Sequence, residues 1–95
     1  MNKEEQEAFD SAKLQIFEEH LREVGRVVDY DFERLSYPQR IKSHDIVKKE
    51  LVRLQAYLKE VSKRSPTPFN LVRQIKELIK KGEALKLEMK EHIDK

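Results

Sequence analysis

Residues 68–93 read PFNLVRQIKELIKKGEALKLEMKEHI. In this stretch Leu71, Ile75, Leu78, Gly82, Leu85, Met89 and His92 recur at alternating steps of four and three. That spacing places side chains along one stripe of an α-helix, whereas a strand needs alternation every second residue. Val72, Ile79 and Ile93 widen the stripe. Upstream, His44, Val47, Leu51, Leu54, Leu58 and Val61 obey the same rule, with Ile41 just before them. In the first third, Leu14, Phe17, Leu21, Val24 and Val28 repeat it, while Phe9, Ala12, Ile16 and Val27 lie on the neighbouring flank. No window shows convincing alternation with a period of two. The chain is expected to be all-α, three helices each burying one seam.

The boundaries follow from capping chemistry. Ser36-Tyr37-Pro38-Gln39 has the spacing of a capping box, with proline in the first turn of the helix that follows. Ser65-Pro66-Thr67-Pro68 ends that helix, because proline lacks an N–H and restricts the residue before it. Thr67 is expected to cap a third helix with Pro68 in its first position. The first helix ends somewhere in 29–35, with Asp29-Tyr30-Asp31-Phe32 as the candidate connection. Helices over about 3–32, 37–64 and 68–93, joined by short links, form an up-down-up bundle of antiparallel neighbours in one domain. The competing arrangement is a long helical hairpin that self-associates in the manner of a coiled coil. Gly82, on the third seam, costs on the order of 1 kcal/mol relative to alanine inside a helix. It is expected to admit a close helix or a large side chain such as Phe17.

The chain has 95 residues, of which 40% are charged and 38% hydrophobic. At 11.4 kDa, surface scaling gives about 5,800 Å² for a compact fold against about 16,500 Å² extended, enough for a thin core. There is no cysteine, hence no disulfide and no thiolate metal site. The acidic, polar opening Met-Asn-Lys-Glu-Glu-Gln-Glu does not resemble a signal peptide, and no apolar run is long enough to span a bilayer. A cytoplasmic setting without membrane contact is expected. Catalysis is not: two glycines make no phosphate loop, no Gly-x-Ser-x-Gly occurs, and the paired acids Glu4/Glu5 and Glu18/Glu19 sit in solvated charge runs. No cofactor is expected.

Charge is unevenly spread. Residues 1–35 hold ten acids against five bases, and residues 36–95 hold fifteen bases against eight acids. The plain expectation is that the acidic segment docks on basic segments of the same molecule. Helical pairs such as Glu18/Arg22, Glu60/Arg64 and Glu77/Lys81 account for much of the rest. Beyond these, basic and apolar residues interleave on the back of the second helix, where Lys42, Ile46, Lys49, Val52, Arg53, Ala56, Lys59 and Lys63 oppose its seam. Ile46, Lys49, Val52 and Arg53, with Leu87 of the third helix, are the candidate contacts for another protein or a second copy in a homodimer. An alternative is nucleic acid lying along Lys63, Arg64, Arg73, Lys76 and Lys80, with Tyr57 and Phe69 the nearest aromatics. A third is a metal held by His20, His44 and His92 in the bundle core, although no His-x-x-x-His or Glu-x-x-His pair supports it. The non-catalytic helical module that binds protein, as a regulator or assembly factor, is the leading expectation.

Overall fold

The computed structural model describes residues 2–30 and 32–94; Asp31 of the expected connection lies outside them. Three helices form an up-down-up bundle: α1 over Lys3–Tyr30, α2 over Tyr37–Ser62 and α3 over Phe69–Ile93. Asn2 opens α1 by accepting the Glu5 amide on its side-chain oxygen at 2.8 Å, and Glu4 and Glu5 favour the positive end of the helix dipole. A 3-10 turn over Phe32–Arg34 then leads into α2. Phe32 explains the break: its ring is buried beneath the bundle end, edge-on to His92 with ring centroids 5.6 Å apart.

The capping box forms. The Gln39 amide donates to the Ser36 hydroxyl at 3.4 Å and the Ser36 amide to the Gln39 side chain at 3.0 Å. At the other end, the link contains a cis Ser65–Pro66 peptide. Thr67 does not cap α3. Its hydroxyl donates instead to the Arg64 carbonyl at 2.8 Å, while Pro68 occupies the cap position without a side-chain bond. A residue missed by pattern reasoning secures the first link. Arg40 donates to the carbonyls of Phe32, Leu35, Glu33 and His92, so one guanidinium ties the 3-10 turn to the last turn of α3.

The core lies where the three stripes meet. Toward the α2–α3 link it contains Phe17, Leu21, Leu54, Tyr57, Val61, Leu71, Ile75 and Leu78. Toward the first link it contains Val28, Phe32, Val47, Leu51 and Met89. Gly82 admits Leu51, not Phe17. A β-carbon at position 82 would stand 2.6 Å from Leu51 Cδ2 and 3.3 Å from its Cγ. The glycine therefore lets α2 and α3 close on each other. Gly25 has no such neighbour: a β-carbon there meets only Leu85 Cδ2, at an ordinary 3.7 Å.

The molecule is a rod of 48 × 18 × 17 Å with a radius of gyration of 15.3 Å, against about 12.4 Å for a globular chain of this length. No helix among the described residues is long and apolar enough to cross a membrane.

Candidate interaction surface

The α1–α2 seam carries the main polar contacts between helices. Near the N-terminus of α1, Asp10 is buried and receives four hydrogen bonds. Arg64 grips it with two donors at 2.7 and 3.2 Å, the Tyr57 hydroxyl donates at 2.5 Å and Gln6 at 3.2 Å. Burial would raise the Asp10 carboxyl, but these donors and the Arg64 charge outweigh it and hold the group below the usual carboxylate range. Burial and the Asp10 bond push the Tyr57 phenol up. Ten residues along α1, His20 Nδ1 lies 2.9 Å from Glu50. Glu50 is buried and also receives Arg53 at 3.3 Å. The partner on α2 falls from Tyr57 to Glu50 as the residue on α1 rises from Asp10 to His20, so the helices run antiparallel and His20 stands level with Glu50.

That register fixes what flanks the seam. Successive residues turn about 100° around a helix axis, so Phe9, Ile16 and Val27 fall within about 20° of one another, just outside His20. All three are exposed, at 50%, 52% and 37%. On α2, Ile46, Lys49 and Arg53 flank Glu50 on the same outer side, and Ile46 is 46% exposed. The two rows form one face of the bundle: an apolar centre, with the acid Glu23 on the α1 row and Lys42, Lys49 and Arg53 on the α2 row.

The remaining sequence candidates lie elsewhere. Val52 is exposed but sits six residues, about 120° around α2, from Ile46. Leu87, also exposed, shares an outer stripe of α3 with Phe69, Arg73, Lys76 and Lys80. The five candidate protein contacts are thus divided: Ile46, Lys49 and Arg53 on the α1–α2 face, Val52 and Leu87 away from it. Among the basic candidates, Lys63, Arg73, Lys76 and Lys80 are exposed. Arg64 is half-buried and holds Asp10 and, at 3.2 Å, Glu60. Tyr57 is buried and presents no ring for a base to stack on, whereas Phe69 is exposed.

The three histidines do not converge on one another. His20 meets Glu50 and His92 Nδ1 lies 3.4 Å from Glu33, while His44 Nε2 is buried without a partner. Among the described residues no group of three or more His, Cys, Asp or Glu is placed to hold a metal ion.

Among the described residues, Asp10–Arg64 joins an acid of α1 to a base just past the end of α2, whereas Glu18–Arg22 and Glu23–Arg26 lie within α1 itself. The charge asymmetry is carried on the outside of the bundle, not neutralised within it. The signal that sequence reading missed is the flank row of α1: Phe9, Ile16 and Val27 are read there as seam margin, and the bundle leaves them in solvent. The chain matches no protein-family model, and neither a curated protein nor a solved structure shows significant similarity to it.

Proposed function

We propose that this chain is a non-catalytic protein-interaction module, acting in the cytoplasm through the α1–α2 face. The observation that carries the reading is the exposure of Phe9, Ile16 and Val27 along one stripe of α1, with exposed Ile46 of α2 beside Val27. Scattered apolar residues on a surface need no explanation, but a row bordered by charge is the anatomy of a binding patch. Helix faces of this kind bind through anchors spaced along one stripe. The role proposed for such a module is regulatory or in assembly.

The test is a photo-cross-linking residue placed at position 16 or 46 in cells that produce the protein, with position 74 as control. Covalent capture of a protein from 16 and 46 but not from 74 is the expected result. Capture from none of them, or equally from all, contradicts the reading.

A second reading rests on the α3 stripe, where exposed Phe69 precedes Arg73, Lys76 and Lys80 at helical spacing. Together with Lys63 it offers four cations and one aromatic to a nucleic-acid strand. Affinity set by four phosphate contacts falls by about two orders of magnitude between 50 and 200 mM salt. A gel-shift series showing that slope, lost in Arg73→Glu with Lys76→Glu, supports this alternative; no shift at 50 mM salt disposes of it.

A further inference from the structure

The α1–α2 face has a property that a single helix surface lacks: its two rows complement each other. Glu23 stands on the α1 row, with Glu19 on the rim beyond it; Lys42 and Lys49 stand on the α2 row, and the apolar residues lie between. Because His20 is level with Glu50 and the helices are antiparallel, Glu23 is level with about residue 47 of α2, between Lys42 and Lys49. A two-fold axis along the rod places α1 of one copy over α2 of another without shifting either along its length. Under that operation Glu23 of each copy meets Lys42 and Lys49 of its mate, and Val27 meets Ile46. Rotation about an axis across the rod would instead set α1 on α1 and α2 on α2, like charge on like.

We infer that the occupant of this face is a second copy of this chain, in a two-fold dimer with α1 of each protomer on α2 of the other. The inference rests on the reading of the face as a binding surface and supplies its partner. The area available on the face is enough for a weak specific contact. A strip about 27 Å long between positions 9 and 27, across the 18 Å width of the rod, gives roughly 1,000 Å² over both copies, the lower end of specific interfaces. The dimer is therefore a reversible one. Glu23 and Lys49 already have partners within their own helices, Arg26 at 3.6 Å and Asp45 at 3.0 Å. Both are exposed pairs of little strength, which contact with a second copy can exchange.

Sedimentation equilibrium of the full chain over about 5 to 500 μM tests this. The expected mass rises from 11.4 kDa toward twice that value and stops there. Glu19→Lys with Glu23→Lys is expected to be monomeric, as is Lys42→Glu with Lys49→Glu, both keeping the helical circular dichroism of the parent. In an equal mixture of the two variants one of the two symmetry-related contacts pairs reversed charges on both sides and the other keeps the charges of the parent, so the mixture is expected to dimerise again, which misfolded variants would not do. A parent that stays monomeric at 500 μM overturns the inference, as does mass growing beyond the dimer or a dimer that either charge reversal leaves intact. Failure here, with position 16 or 46 still cross-linking to a different protein, removes the self-partner and leaves the binding face standing. Failure of both removes the face.

Discussion

Asp10, Tyr57 and Arg64 form a hydrogen-bonded unit that ties α1 to α2 and to the residues just past its end. Replacing Asp10 by Asn takes the nearer, buried carboxylate from the half-buried Arg64 and leaves it the exposed Glu60 at 3.2 Å, and about 2–3 kcal/mol of stability is expected to go. Thermal unfolding measures it as a loss of roughly 10–20 °C in a domain this small. Because the folded carboxyl is depressed, its contribution is complete above about pH 4 and disappears as pH falls through the folded value. The acid limb of the stability profile should shrink in Asp10→Asn. His44 acts in a different window. Burial, then the charges of Lys48, Lys86 and Lys90, hold its imidazole below the usual range, with Asp45 opposing. The unfolded chain takes up that proton from about pH 6.5 downward, so stability is whole above that pH and is lost as pH falls toward the folded value. Comparing melting temperatures near pH 7.5 and 5.5, His44→Gln should lose less than the parent. Neither unit is legible in the sequence. Asp10 lies among the other acids of the α1 half with nothing to mark its partner 54 residues away, and His44 reads as one more seam position.

Helices, by contrast, are legible almost to their ends, because period and caps are local properties of the chain. Of the third stripe, Leu71, Ile75, Leu78, Gly82 and Met89 are buried, and Leu85 and His92 are half-buried. The ends differ by one or two residues for reasons of packing: Phe32 turns inward after α1, and Thr67 bonds back to Arg64. The two glycines separate local propensity from packing. Gly25→Ala gains helix propensity against an ordinary contact, so stability is expected to rise by about 0.5–1 kcal/mol. Gly82→Ala gains the same propensity but drives a methyl into Leu51, itself only 4% exposed. Overpacking costs about 1–3 kcal/mol, so a net loss of about 1 kcal/mol is expected. Denaturant titration of both variants checks the contrast; a stabilised Gly82→Ala would mean that α2 and α3 are not in close contact there.

At the scale of the whole molecule, sequence periodicity identifies each seam but not which flank the neighbouring helices cover. Phe9, Ile16 and Val27 adjoin the α1 seam, and whether α2 covers them depends on how the three rods are arranged. The bundle leaves them outside, next to Ile46, and parts Ile46 from Val52 by a third of a turn. Charge follows the same logic: a net acidic first segment and a basic remainder are plain in the sequence, but that they face outward is a property of the assembly. The dimer requires that the α1–α2 face be covered by a second copy in solution. Amide chemical shifts followed from about 10 μM to 1 mM decide this residue by residue. The largest changes are expected at Ile16, Glu23, Val27, Ile46 and Lys49, with Arg73, Lys80 and Leu87 unmoved. Shifts confined to the α3 stripe, or none at all, would contradict it.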